Sequence, residues 1–283
     1  MFSDLTVVTV AFGADAGLKK WASAWSGKGI CCIVADNGGG VPSDQMPNVR
    51  VLPYRENKGF GAGISRCAKE AETEYILITN PDTLPVDSKN TSKLLEYGVK
   101  HSFTGAVTLN ETGRVIPSSG IWPSLKWVRA QVFHKALPLW CADSFNWLQG
   151  SLILVRRSDF LNLGGFSSRY PLYFEDVDLC ARASDAGLSM GFCSDAQFIH
   201  QEGTGSSGSR AIRLAGFHWG LYEYFRQHCP ADFPAARKLI LIKCIVRMLS
   251  AGFFSCDERK GYSDAYRAVK NGVMPALPSR AYV

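Results

Sequence analysis

Three carboxylates fall within four residues of the stretch YPLYFEDVDLCARASDAG, which runs from Tyr170 to Gly187. Glu175, Asp176 and Asp178 stand where an aromatic loop meets a helix. Val177, Cys180, Ala181 and Ala183 then recur at helical spacing, and Gly187 is a C-terminal stop. Acids in a first helical turn are stabilised by the macrodipole, and capping alone would explain a lone acid pair. Here the acids follow Leu172, Tyr173 and Phe174, so the expectation is that they enter a cleft. A carboxylate kept ionised beside apolar walls is a good proton acceptor. Glu175 and Asp176 are adjacent and so point about 100° apart on a helix, which lets only one of them face a reacting group. Asp178 and Arg182, four residues apart, suit a supporting salt bridge.

Three further sites carry polar residues at strand ends. In NPDTLP, Asn80 and Asp82 flank Pro81 after an apolar run. Asn, Pro and Asp are ordinary turn residues. The alternative is a divalent-metal site, because magnesium and manganese are commonly held by one or two carboxylates plus substrate phosphates. ENKGFGAGIS (Glu56 to Ser65) carries Gly59, Gly61 and Gly63. It follows the third strand and has Ile64 where GxGxxG has its final glycine, so it is a weak dinucleotide fingerprint. It reads either as a turn that lets backbone approach a nucleotide or as close helix-to-strand packing. Asp36 ends a strand and either accepts a hydrogen bond from a base or ribose or caps a turn with Asn37. His200 ends an apolar strand; such a histidine is commonly a satisfied core residue, and it gains weight only beside a metal.

The elements that must position these groups alternate. LTVVTVAF (Leu5 to Phe12), ICCIVAD (Ile30 to Asp36), NVRVLPY (Asn48 to Tyr54) and EYILIT (Glu74 to Thr79) are apolar, β-branched runs suited to strands buried on both faces. Helical spacing of Leu18, Trp21 and Trp25, and a helix ending at Glu70, separate them. Strand–helix alternation predicts a mostly parallel central sheet flanked by helices, with ligands at the carboxyl ends of strands. Phe103 to Leu109 and Arg114 to Ser119 read as strands around an Asn110–Gly113 turn. Ser119 to Ala142, with Trp122, Trp127 and Trp140, reads as an irregular flap. Asn146 to Arg157 reads as one strand, and Ser189 to Gln201 as a last strand delivering His200. TGSSGS (Thr204 to Ser209) reads as a linker. A helical C-terminal part follows, including the basic, apolar RKLILIKCIVRMLSAGFF (Arg237 to Phe254).

The chain has 283 residues, 46% of them hydrophobic, and a net charge of +6. That mild excess suits an anionic substrate or a membrane surface, and no zinc-finger spacing or arginine-rich arm supports nucleic-acid binding. Nine cysteines without a CxxC read as reduced, buried thiols of a cytoplasmic protein, with Cys31 and Cys32 on opposite faces of a strand. MFSDLTVV has no basic n-region of a signal peptide, and no apolar run reaches membrane-span length.

Taken in order, DNGG at Asp36, ENKGFGAG at Glu56, ILITNPDT at Ile76, NWLQGSLILVRRSDF at Asn146, GGFSSRYPLYFEDVDLCARASDAG at Gly164 and IHQEG at Ile199 resemble glycosyltransferase family 2. These are the inverting GT-A enzymes, and the resemblance is to their bacterial rhamnosyltransferase branch. It implies a Rossmann-like GT-A catalytic domain over residues 1–205 and a helical extension over 206–283. It implies that Asp36 binds the nucleobase, that Asn57, Gly59, Gly61 and Asn80 serve the nucleotide donor, and that Asp82, completed by His200, holds Mg2+ or Mn2+. Asp176 resembles the catalytic base, with Glu175 orienting the acceptor or capping the helix. Gln149, Gly150 and Tyr173 fall on the acceptor or pocket side. The expected reaction moves a sugar, L-rhamnose from dTDP-L-rhamnose, onto a lipid-linked or oligosaccharide acceptor of cell-surface polysaccharide. The expected place is the cytoplasm, with peripheral contact at the inner membrane leaflet. Gly13 and Ile64 replace polar residues that the family carries near the nucleotide. Three alternatives stand beside this: a different UDP- or dTDP-sugar, a dinucleotide-binding oxidoreductase, and a catalytically silent carbohydrate-binding relative. AFGADAG lacks the complete fingerprint that the oxidoreductase needs, and the intact Asp82 and Asp176 argue against the silent relative.

Overall fold

The computed structural model describes residues 2–12, 16–27, 29–46, 48–53, 56–132, 144–201, 209–250 and 255–278. Gly13, Trp140, Cys141, nearly all of the TGSSGS segment and Phe254 lie outside the described residues. The chain opens with β1 (Leu5–Ala11), α1 (Ala16–Ser26), β2 (Cys31–Asp36), β3 (Val49–Pro53), α2 (Phe60–Glu70) and β4 (Tyr75–Thr79). These four strands lie parallel in the order β3-β2-β1-β4. Every residue of β1 and β4 is buried, as unbroken apolar runs require when helices cover both faces. The threonines of these two strands are satisfied: Thr9 Oγ1 donates to Thr79 O at 2.8 Å, and Trp21 Nε1 donates to Thr79 Oγ1 at 2.8 Å.

The second half mixes directions. It runs β5 (Thr83–Pro85), α3 (Ser88–Gly98), β6 (Phe103–Leu109), β7 (Val115–Ile116), β8 (Ser119–Gly120), α4 (Leu125–Val132), β9 (Trp147–Leu148), β10 (Leu152–Arg156), α5 (Arg157–Asn162), α6 (Glu175–Asp185) and β11 (Met190–His200). β10 inserts antiparallel between β4 and β6, β11 runs parallel to β6, and β5 closes the edge antiparallel to β11. The sheet is therefore parallel over its first four strands and mixed beyond them. Three local expectations change. The predicted Arg114–Ser119 strand is cut to Val115–Ile116, and Ser119 opens β8 in another sheet. The predicted Asn146–Arg157 strand is two strands, because Gln149–Ser151 turns between β9 and β10 and β9 pairs with β8 in a separate ribbon. Part of the predicted flap is helix α4, whose Trp127 and Val128 are buried.

Three helices complete the described chain: α7 (Arg210–His228), α8 (Phe233–Leu249) and α9 (Cys256–Asn271). Two apolar clusters fill the faces of the sheet, one around Trp21, Trp25, Leu77 and Phe198, the other around Ile33, Ile64, Ile78, Phe160 and Leu179. A third joins α4, α7, α8 and α9 to Tyr170, Phe174 and Val177. Helix α6 thus has one face on the sheet and the other on the helical layer. Cys32, Cys67, Cys180 and Cys244 are buried and burial pushes their thiols up to about 12, whereas Cys31 and Cys256 are exposed, so not every cysteine is a buried one.

Candidate active site

Strand pairing builds the floor of the site. β5 and β11 pair antiparallel with His200 opposite Thr83, which brings the end of β11 beside the turn that follows β4. His200 Nε2 consequently lies 3.3 Å from Asp82 Oδ1 and 3.4 Å from Asn80 Nδ2, with Asp82 and His200 both buried. The turn is fixed by Asn80 N donating to Ser151 O at 3.2 Å and Thr83 N donating to Asn80 O at 3.0 Å. His200 Nδ1 is buried without a protein partner among the described residues. A carboxylate and an imidazole converging at a strand end form a two-donor set. Such a set suits a magnesium or manganese ion that takes its remaining ligands from phosphate oxygens.

The acids form the opposite wall. Tyr173 (φ 67°) and Phe174 (φ 69°) are consecutive left-handed residues, and Phe174 is the residue before α6. Non-glycine residues in that region are strained and persist only where packing holds them. Helix α7 supplies the packing. A Cβ at Gly220 would come within 2.7 Å of Tyr173 O and 2.9 Å of Phe174 Cβ, so only a glycine lets the helix approach the turn this closely.

The turn sends the three carboxylates in different directions. Asp178 faces the protein, accepting from Arg182 Nε at 2.8 Å and lying 2.9 Å from His228 Nε2. This is the expected salt bridge, extended to a histidine at the end of α7. Asp176 lies on the cavity, with Oδ2 accepting from Gly150 N at 2.8 Å and Oδ1 from Val177 N at 2.9 Å. Glu175 also lines the cavity, and its buried Oε2 has no protein partner among the described residues. Burial raises both carboxyls above their ordinary values. For Glu175 the neighbouring Asp176 charge raises it further, whereas amide hydrogen bonds from Gly150 and Val177 oppose the rise at Asp176.

The nucleotide-side residues divide. Asn57 and Gly59 line the cavity; Asn57 Oδ1 accepts from Gly59 N at 3.0 Å. Gly59 (φ 92°) is packed so that a Cβ would meet Pro171 O at 2.1 Å. Gly61 instead packs against Phe166, Gly63 against Val10 and Ala35, and Ile64 is fully buried in the sheet core, so these serve helix packing. The Asp36 carboxylate accepts from the backbone N–H groups of Gly38 (3.2 Å), Gly39 (2.8 Å) and Val41 (3.1 Å). Asp36 thus ties down the DNGG loop and is not a lining residue, while its neighbour Asn37 lines the cavity and donates to Gly59 O at 2.9 Å.

These groups share one cavity of about 530 Å³, which also takes in Gln149, Gly150 and Tyr173. Among the contributors that sequence reasoning missed are three from the C-terminal part of the chain. Arg213, on the first turns of α7, faces it, as do Leu277 and Pro278 from the segment after α9. Asn57 Nδ2 donates to Pro278 O at 3.0 Å. A second cavity of about 370 Å³, between α7 and α9, shares Pro171, Ile212 and Leu277 with the first. None of the three carries a motif: a lone arginine and a Leu-Pro pair more than 60 residues beyond Arg213 are joined to the site only by folding.

No protein-family model matches the chain. Over 256 residues it is 27% identical to the N-acetylglucosaminyl-diphospho-decaprenol L-rhamnosyltransferase of Mycobacterium tuberculosis, covering 77% of this chain and 82% of that one. Over 81 residues it is 37% identical to the rhamnosyltransferase WbbL of Escherichia coli, covering 29% of this chain and 30% of that one. Among solved structures it resembles the mannosyltransferase PcManGT of Pyrobaculum calidifontis, solved in complex with GDP-Man and Mn2+. The TM-score is 0.51 at 12% identity, over 95% of this chain and 86% of that one. The fold is that of the GT-A glycosyltransferases.

Proposed function

We propose that this chain, a glycosyltransferase on the GT-A fold, moves L-rhamnose from dTDP-L-rhamnose to a lipid-linked glycan with inversion at the anomeric carbon. The observation that carries the reading is one cavity with the Asp82–His200 pair on its floor and Asp176, oriented by Gly150 N, on its wall. The relatives are named for rhamnosyl transfer, one of them to an N-acetylglucosaminyl-diphospho-decaprenol acceptor.

Asp176 takes the proton of the acceptor hydroxyl. The oxygen bonds to the anomeric carbon as the bond to the donor's diphosphate breaks, and the pair of electrons leaves on the nucleoside diphosphate. Two backbone N–H groups orient the Asp176 carboxylate and oppose the rise that burial imposes on it, which favours the anion that accepts the proton. The leaving diphosphate is a stable anion and needs charge stabilisation instead of a proton donor. Asp82 and His200 would hold Mg2+ or Mn2+, which supplies that charge when bound. Asn37, Asn57 and Gly59 border the nucleotide side, and Tyr173, Gln149 and Glu175 the acceptor side.

In this reading residues 1–205 bind the donor, and helices α7, α8 and α9 of the extension over 206–283 cover the acceptor side. Helix α8 turns Ile242, Ile245, Val246 and Leu249 to the outside, in line with the exposed Lys238. An apolar stripe headed by a cation suits an anionic inner leaflet where a lipid-linked acceptor resides. Lys243, from the same helix, does not join that stripe; it is buried over the Phe217 ring. Among the described residues no helix is long and apolar enough to cross a membrane.

The test is release of nucleoside diphosphate from a panel of nucleotide sugars, with manganese and with EDTA. The expected result is turnover of dTDP-L-rhamnose ahead of UDP- and GDP-sugars, lost in EDTA. No turnover of any nucleotide sugar overturns the reading, faster turnover of a UDP-sugar reassigns the donor, and full activity in EDTA removes the metal.

A further inference from the structure

The cavity is acidic. Asp82, Glu175 and Asp176 line it, and Arg213 is the one permanently charged cation among the described residues that do so. The Arg213 side chain is half-buried and makes no hydrogen bond or ion pair with any described residue. Its neighbour in the same turn, Arg210, is by contrast paired with Glu258 at 2.7 Å. The first turn of α7 contains no acid, and a cation there is disfavoured by the helix dipole. Arg213 is close enough to Tyr173 that its charge opposes the rise that burial imposes on the phenol. A guanidinium that no described residue pairs, held at a helix start on the wall of a cavity, is placed to be completed by an anion.

We infer that Arg213 binds the phosphate oxygens of a diphosphate group carried by the substrate. This rests on the glycosyltransferase reading above and adds a residue to it. Of the cavity's acids, Asp82 and Asp176 have roles assigned by geometry, and none of the three closes on Arg213 in the observed conformation. The planar fork of an arginine matches two phosphate oxygens at once. At the donor, it would offset charge on the departing nucleoside diphosphate; at a lipid diphosphate, it would seat the acceptor.

Calorimetry on the full chain with manganese separates these sources. The titrants are dTDP, thymidine and farnesyl diphosphate; the proteins are wild type, Arg213→Gln and Arg213→Lys. Losing a hydrogen bond to a charged group should raise Kd for a diphosphate roughly ten- to hundredfold in Arg213→Gln, with partial recovery in Arg213→Lys and little change for thymidine. A loss confined to dTDP assigns the donor, and one confined to farnesyl diphosphate assigns the acceptor. Diphosphate affinities within about twofold of wild type, or an equal loss for thymidine, overturn the inference. If wild type binds no nucleotide at all, the glycosyltransferase reading itself fails, a different result from normal binding in the variants.

Discussion

The backbone N–H of Gly150 donates to Asp176 Oδ2 at 2.8 Å, joining the turn between β9 and β10 to the first turn of α6 across 26 residues of sequence. The contact holds a buried carboxylate in one orientation and favours its ionised form. Asp176→Asn should therefore lower kcat by roughly 100- to 10,000-fold, the usual contribution of a general base, with little change in dTDP affinity. Glu175→Gln should cost less in kcat. Because burial raises the Asp176 carboxyl, the acid limb of the wild-type kcat profile should lie above the range of an ordinary aspartate. Steady-state kinetics against pH checks both; near-normal kcat in Asp176→Asn with loss in Glu175→Gln reverses the assignment.

Glu175 makes a stability prediction of definite sign. Its carboxyl is raised well above the ordinary 4.5. Between those two values the folded chain keeps a proton that the unfolded chain has released, so stability falls as pH rises through that window. Below the ordinary value both states are protonated and the effect vanishes. Glu175→Gln removes the titration with little change of shape. The Tm of the variant relative to wild type should climb as pH rises above the ordinary carboxyl value of 4.5, measured by calorimetry. A flat difference would show that the carboxyl is not held in the protonated form.

Gly220→Ala tests the support of the acid turn. In an exposed helix alanine is favoured over glycine by about 1 kcal/mol, but here the added methyl meets the Tyr173 carbonyl. The helix and the Tyr173–Phe174 turn must separate, moving Asp176 from its place. The expected kinetic result is a fall in kcat of roughly 10- to 100-fold, with the far-ultraviolet circular dichroism retained. Unchanged kcat would mean that the turn is held without α7.

The α8 stripe predicts membrane association. Full-length protein should sediment with anionic liposomes at low salt, less so at high salt, and Leu249→Glu should weaken it because Leu249 is 78% exposed at the end of the stripe. No sedimentation at low salt removes the membrane from the reading.

Much of this was legible in the chain. Uninterrupted apolar runs announced β1, β2 and β4, and the acids after Tyr173–Phe174 announced the wall of the cavity. What pattern could not show was set by contacts across the fold. Leu148-Gln149-Gly150-Ser151-Leu152 keeps an alternation that hides a turn, and the turn exists because β9 leaves the sheet to pair with β8. For Asp36 the pattern leaves a ligand for a base and a turn cap side by side, and the three loop amides on its carboxylate show the cap. Helix α4 was lost among prolines and tryptophans because its stability comes from packing on α8, beyond the reach of local propensity. Gly61 and Gly63 show the same limit: a glycine-rich motif looks alike whether it admits a ligand or a neighbouring side chain.

Pro278 is already seated on Asn57. A ligand that requires the Asn57 amide must take it from the chain's own carbonyl, exchanging one hydrogen bond for another. If that bond is worth about 1 kcal/mol, the ligand's apparent affinity is about fivefold below its intrinsic one. Reciprocity then applies: occupancy of the cavity loosens the segment after α9 by the same factor, so amide exchange near residues 273–278 would report what is bound beside Asp82.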